Sequence, residues 1–316
     1  TRWSGDWSSD VCSSDLSKSD KIFDKEKPDA VLLYGDTNSC LSVISAKRRK
    51  IPVFHFEAGN RCFDQRVPEE SNRKIVDHIA DINLTYSKIA RDYLILEGIN
   101  PDRVINIGSP MYEVIQDSKQ KIDSSNILYT LDLKSNNYFL VSCHREENVD
   151  NISNLKLLVN SLNELCGKYK IPIIFPIHPR TRKKIDDSNL KLNKLVKVIK
   201  PLSFSDFCKL QIESFVVLSD SGTIFEESSI LNFKSLNLRE SHERPEAIEE
   251  ATTVITGLGK ERIINGIDLV ENQVTGNNRN FNIVNDYNVP NVSLKVERII
   301  LSYIDYVNRV VWQKES

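Results

Sequence analysis

No apolar run in the 316 residues approaches the ~20 residues that a membrane-spanning helix needs. No electrostatic footprint for nucleic acid is present either, because 42 Lys and Arg against 44 Asp and Glu leave a net charge of −2. The densest basic run, Lys47–Lys50, falls at the end of an expected helix, where cations are favoured in any case. Neither GxGxxG nor GxxxxGK followed by Ser or Thr occurs, so a dinucleotide fold and an NTPase loop are not indicated. The six cysteines, Cys12, Cys40, Cys62, Cys143, Cys166 and Cys208, are scattered without a CxxC pair. That spacing points to a reduced, cytoplasmic protein without structural zinc. No His-x-x-x-His or clustered-carboxylate pattern marks a metal site, and His55 and Asp36 are not read as ligands.

The first residues also lack a basic start and an apolar core, which excludes a signal peptide. Asp6–Leu16 reads as the conceptual translation of a sequencing adapter, so residues 1–16 are set aside as a non-native scar. From Ser17 onward strands and helices alternate. Four strand–helix alternations in the stretch up to residue 110 mean a parallel, doubly wound sheet. Residues 112–137 are polar and read as a domain crossover. A second series of strands then begins at Tyr138, and Val292–Val311 carries apolar positions at helical spacing. The expected organisation is a first Rossmann-like domain over 17–110, a second over 111–290, and a C-terminal helix over 291–316 that packs back on the first.

The strand ends carry the chemistry. In Val53–Arg73 a buried strand runs directly into Glu57 and Gly59, and the pair Glu69 and Glu70 follows, with Arg73 three residues on. A carboxylate at the carboxyl edge of an open α/β sheet is placed for proton transfer. Alone, Glu57 reads as a solvated strand end and Glu69 and Glu70 as favourable charges at a helix start. Three further strand ends with polar cargo favour the functional reading. Asp36 ends a neighbouring strand, and two carboxylates close together would separate into an acid and a base. Ser221, Gly222 and Thr223 lie between a strand and a helix, where backbone N–H groups suit a phosphate. Glu226 and Glu227 follow, positioned to accept from ribose hydroxyls. His144, Arg145, His178 and Arg244 sit near other strand ends and fit a polyanion. Two such domains imply a cleft between facing sheet edges.

Together GDT, HFEAGNR, VPEESNR, CHREEN, SDSGTIFEE and ERPEA resemble the non-hydrolysing UDP-N-acetylglucosamine 2-epimerase family, from about Lys27 to the C-terminus. The forms FEAGNRCFDQRVPEE, KIVDHIADINL and SCHREENVDN resemble the branch that makes UDP-N-acetyl-L-fucosamine from UDP-2-acetamido-2,6-dideoxy-L-talose, for capsule and O-antigen synthesis. The resemblance implies two Rossmann-like domains in the glycosyltransferase-B architecture, a homodimer, a UDP-sugar substrate, and no cofactor, metal, nucleic acid or membrane. It implies C2 epimerisation by elimination of UDP to a glycal and re-addition.

Carried over by motif, Asp36, Glu57 and Glu69 are the acid/base candidates and His144 assists at the diphosphate. Ser221, Gly222 and Thr223 hold phosphate, Glu227 the ribose, Phe207 the uracil, and Arg244 a phosphate. Arg73, Arg145 and His178 support them. One departure stands out: the family's opening GTRPE motif is absent. A first domain missing roughly one βαβ unit or more ahead of Ser17 is expected, with an exposed apolar edge. The rival readings are epimerisation of UDP-N-acetylglucosamine to UDP-N-acetylmannosamine, a hydrolysing epimerase, a glycosyltransferase of the same architecture, and an inactive sugar-nucleotide binder.

Overall fold

The computed structural model describes residues 9–65, 67–177 and 179–314. The chain separates into two compact units, Thr1–Pro110 with Val289–Ser316, and Met111–Asn288. Both are parallel-sheet α/β units of Rossmann type.

The first unit opens with helix α1 (Ser9–Glu26), which crosses residue 16 without a break. Strands β1 (Val31–Tyr34), β2 (Val53–Ala58), β3 (Ile82–Thr85) and β4 (Val104–Asn106) form a parallel sheet in the order β1-β2-β3-β4. Helices α2 (Val43–Arg48), α3 (Pro68–Ile79) and α4 (Lys88–Leu96) connect them. Strands this short bury on both faces because helices cover both, so they read as continuous apolar runs rather than alternating ones. β1 lies at one edge, and there Leu32 and Tyr34 are 47% and 61% exposed. Helix α3 starts at Pro68. Proline suits the first helical position, and Glu69 and Glu70 fall in the first turn, where the helix dipole favours acids.

The second unit begins with α5 (Met111–Asp123) and α6 (Ile127–Thr130), where the sequence suggested a polar crossover. Ile115, Ile122 and Ile127 are all buried in the unit's core. Ile115 and Ile122 lie two helical turns apart, a narrow apolar stripe hidden by the polar residues around it. Next come β5 (Phe139–Ser142), α7 (Glu146–Val149), α8 (Ile152–Tyr169), β6 (Ile173–Pro176), α9 (Pro179–Asp187), β7 (Val196–Ile199) and α10 (Phe204–Glu213). The remaining elements are β8 (Val216–Ser219), α11 (Ile224–Leu231), β9 (Ser235–Asn237), α12 (Pro245–Glu249), β10 (Val254–Ile255) and α13 (Lys260–Val270). The sheet order is β7-β6-β5-β8-β9-β10, all parallel, with apolar layers on both faces.

The chain then returns to the first unit as α14 (Val292–Tyr306), followed by one π-helical turn over Val307–Val311. Val292, Val296 and Val307 pack against Phe54, Ile82 and Leu84 of the first sheet. The opposite face of that sheet packs Leu33 and Val53 against Val43, Ala46 and Val76. Among the described residues no helix is long and apolar enough to cross a membrane. Cys40, Cys62, Cys143, Cys166 and Cys208 are free thiols.

Candidate active site

In the first unit the carboxyl ends of β1 and β2 lie side by side, with Tyr34 paired to Phe56. The next residue of β2, Glu57, interrupts the strand's pairing. Its φ is +70°, and the pairing register with β3 shifts between Phe56 and Ala58. Glu57 is therefore the extra residue of a β-bulge, a device that re-aims a side chain. A non-glycine residue in this conformation costs about 1–3 kcal/mol and persists only where its surroundings over-determine it. Those surroundings are specific. Gly35 N–H donates to Phe56 O at 3.0 Å on one side of the bulge. Gly59 N–H donates to the Asp77 carboxylate at 3.2 and 3.3 Å on the other. Gly59 itself has φ +81°, and a Cβ there would sit 2.4 Å from the Ala90 carbonyl oxygen, so no larger residue fits.

The bulge places Glu57 Oε2 3.5 Å from the point where a Cβ on Gly35 would lie, immediately beside the Gly35–Asp36 turn. Asn60 Nδ2 donates to Glu57 Oε1 at 3.3 Å. Asp36 is gripped by Arg73, whose Nε and Nη2 both lie 2.7 Å from Oδ2. Arg73 Nη1 also reaches Glu70 Oε2 at 3.3 Å. Glu70 is fully buried and accepts from the Cys62 amide at 3.0 Å. Asn72 Nδ2 donates to the Asp36 carbonyl at 2.9 Å, closing the turn from the helix side. Asp36 thus carries its own counterion, and the expected pair of bare carboxylates is an Asp–Arg pair beside a glutamate.

In the second unit the strand order reverses between β5 and β8. In such sheets ligands bind beyond the carboxyl ends of the strands at this switch point. Asp220, directly after β8, is fully buried and gathers the loop that follows β5. It accepts from the backbone N–H of His144 at 3.1 Å and of Arg145 at 3.0 Å, from Asn148 Nδ2 at 3.0 Å and from Cys143 Sγ at 3.0 Å. The His144 ring remains 61% exposed, with Nδ1 3.5 Å from Asp220 Oδ1.

The turn after β8 is tied internally, with Ser221 Oγ and Thr223 Oγ1 2.9 Å apart, and leads into α11. Over Gly222 lie Glu243 and Arg145, 3.6 and 3.9 Å from the place a Cβ would take. A helix N-terminus, a bare glycine backbone and Arg145 meet at this corner, with the Glu243 carboxylate 3.9 Å from the arginine. One turn into α11, Glu227 is buried and accepts from Gln211 Nε2 at 2.5 Å. Burial pushes its carboxyl above the usual range, while the Gln211 and Thr223 hydrogen bonds work the other way. Arg244 is 4% exposed and lies 3.6 Å from Glu226; Arg239 pairs with Glu243 at 3.0 Å. Phe207 is partly buried and packs against the margin of the core. Among the described residues no group of three or more His, Cys, Asp or Glu is arranged to hold a metal.

A sequence profile of the UDP-N-acetylglucosamine 2-epimerase family matches residues 5–301. The chain belongs to this family. Its members are isomerases, and so is this enzyme. An epimerase structure from Rickettsia bellii is 47% identical, with a TM-score of 0.91 over 98% of this chain and 83% of that one. The structure of the Methanocaldococcus jannaschii enzyme in complex with UDP-GlcNAc and UDP is 33% identical. Its TM-score is 0.85 over 92% of this chain and 80% of that one. The UDP-2,3-diacetamido-2,3-dideoxy-D-glucuronate 2-epimerase of Pseudomonas aeruginosa is 34% identical over 76% of this chain and 67% of its own.

Of this epimerase's sequence-derived residues, Asp36, Glu57 and Arg73 come together at the first sheet's edge. It is Glu70, not Glu69, that joins their ion pairs; Glu69 is half-buried one position earlier. His144, Arg145, Ser221, Gly222 and Thr223 come together at the second sheet's switch point, with Glu227 one turn further on. Arg244 faces Glu226 inside the same unit. His178 lies outside the described residues. Sequence reasoning missed Asp220 as an organiser, although its place between an apolar run and Ser-Gly-Thr was visible. It also missed Asp77 and Gln211, which sit in the last turns of their helices with no local mark.

Proposed function

We propose that this epimerase inverts C2 of a UDP-2-acetamido sugar by eliminating UDP and adding it back. The observation that carries this reading is Glu57, a carboxylate held at φ +70° against the Gly35–Asp36 turn in a chain of this family. A positive φ on an acidic residue at a strand end fits a group that must be aimed.

In the proposed reaction a carboxylate removes the C2 proton. The C1–O bond to the diphosphate breaks, its electron pair leaves with UDP, and a C1–C2 double bond remains. The glycal re-orients, a second group returns a proton to the other face of C2, and a diphosphate oxygen re-forms the bond to C1. Atoms and electrons balance with no oxidant or reductant. Asp36, Glu57 and Glu69 are the proposed acid/base groups, a role typically worth ~10²–10⁴ in rate. His144, Arg145, His178, Arg244 and the Ser221–Gly222–Thr223 turn are assigned to the diphosphate, where charge develops as it leaves. Glu227 is assigned to the ribose and Phe207 to the uracil, while Arg73 sets Asp36.

For the sugar, the motif forms favour UDP-2-acetamido-2,6-dideoxy-L-talose, giving UDP-N-acetyl-L-fucosamine, made in the cytoplasm by a homodimer for capsule or O-antigen. The relative named for a diacetamido-glucuronate supports a family that accepts modified sugars. A second reading, UDP-N-acetylglucosamine to UDP-N-acetylmannosamine, is favoured by the similar structure solved with UDP-GlcNAc. Proton NMR in D₂O with each substrate decides between them. Loss of the C2 signal together with the new epimer identifies the sugar. Sugar transfer without C2 exchange would establish a transferase instead, and free sugar with UDP a hydrolysing enzyme.

A further inference from the structure

His55 and Asp77 are both fully buried in the first unit, and the proposed acid/base chemistry gives neither a role. Their contacts reach the flanks of both acidic groups. His55 Nε2 lies 2.8 Å from the Gly35 carbonyl, which immediately precedes Asp36. His55 Nδ1 lies 2.8 Å from Asp77 Oδ1, and Asp77 in turn accepts from the Gly59 N–H, two residues after Glu57. A carbonyl oxygen only accepts. A carboxylate already holding Arg61 Nη1 at 2.7 Å also accepts. A neutral imidazole has one N–H and cannot serve both partners; the imidazolium has two.

Charge is balanced within the group. Arg61 is bound to Asp77 and, at 2.8 and 2.7 Å, to Glu97, so two positive and two negative groups close a neutral network. Glu97 sits at its exposed end, where His78 reaches it at 3.1 Å. Arg61 spends both Nη1 protons on Asp77 and on the Asn60 carbonyl at 2.8 Å, and His55 is the Asp77 partner on the sheet side.

We propose that a doubly protonated His55, paired with Asp77, is the positioning device that fixes Asp36 and Glu57 relative to each other. The ring pins the turn that carries Asp36, and the carboxylate pins the amide that ends the Glu57 bulge. One buried ion pair therefore spans both acid/base groups without touching substrate. Burial opposes the charge on the ring, but the hydrogen bond and charge of Asp77, then the Gly35 carbonyl and the charge of Glu57, outweigh it. This inference rests on the reading of Asp36 and Glu57 as the acid/base groups.

The test compares wild type with Asp77→Asn and His55→Gln. Each variant keeps one hydrogen bond and loses the charge pair. Expected is a ~10²-fold fall in kcat, the cost of an ångström-scale misplacement, with KM and the Kd for UDP within about threefold. Nitrogen-15 NMR of histidine-labelled wild type should show one buried ring with both nitrogens protonated at pH 7.5, a signature lost in Asp77→Asn. Retained kcat, a loss confined to KM, or a singly protonated His55 would overturn the proposal. If neither variant folds, the wild-type ring spectrum decides. An inactive wild type that still shows the doubly protonated ring would count against the reaction, not against the ion pair.

Discussion

Arg73 holds Asp36 through two nitrogens on one oxygen, Nε and Nη2 both at 2.7 Å from Oδ2, while its third nitrogen leans on Glu70. A planar fork can do this and a lysine ammonium cannot. Arg73→Lys should lower kcat by roughly 10- to 100-fold, in line with losing hydrogen bonds to a charged group. UDP affinity should be unchanged, since the groups proposed for the diphosphate belong to the other unit. Arg73→Ala should cost about 1–3 kcal/mol in urea unfolding, because the buried Glu70 carboxylate loses a donor and keeps only Lys74, 3.6 Å away, as its cation.

The Glu57 bulge predicts an unusual stability order. At an ordinary strand position alanine is better than glycine. At φ +70° the Cβ is penalised, and after the entropy of the unfolded glycine is subtracted, glycine should win. Glu57→Gly should unfold later than Glu57→Ala by about 1 kcal/mol. Both variants should lose turnover. The opposite order in thermal melts would remove the argument for strain at this site.

Asp220 carries four donors on one buried carboxylate. Asp220→Asn replaces one accepting oxygen with an NH₂ group that faces N–H groups. A loss of about 2–3 kcal/mol is expected from the unsatisfied donors. The loop that presents His144 and Arg145 should loosen with it, so calorimetry should show weaker UDP binding even at temperatures where the variant is folded.

Glu227 gives a pH signature. Burial raises its folded pKa above the unfolded value near 4.5. Its contribution is therefore most favourable below pH 4.5 and is lost as the pH rises through the raised value. Glu227→Gln removes that ionisation. The variant should be more stable than wild type at neutral pH, and the difference should shrink toward acid. Its UDP affinity should fall, since an amide recognises ribose hydroxyls less well than a carboxylate. A stability difference independent of pH would show that burial does not disfavour this charge.

Much of this fold was legible because parallel strands buried on both faces read as plain apolar runs, as Val53–Phe56 and Val216–Leu218 do. The polar residues at their carboxyl ends then marked both proposed halves of the site, from Glu57 to Thr223. The spans that were misread lacked such contrast. Helix α5 carries only Ile115 and Ile122 as buried apolar residues among charges, and α3 begins seven residues before Ile75 opens its apolar pattern. His55, Asp77 and Asp220 act through partners that are distant in sequence, up to 77 positions away for Cys143 and Asp220. A local pattern holds no trace of which donor such a carboxylate will meet.

The return of α14 to the first sheet sets an order on synthesis. Residues 111–288 are contiguous and can close their sheet while the tail is still on the ribosome. Phe54, Ile82 and Leu84 emerge earlier but must wait for Val292, Val296 and Val307 before their face is covered. The unit that carries the proposed acid/base groups, encoded first, is thus completed last. A stop codon near residue 290 should spare residues 111–288 and leave the nascent first unit open to proteases.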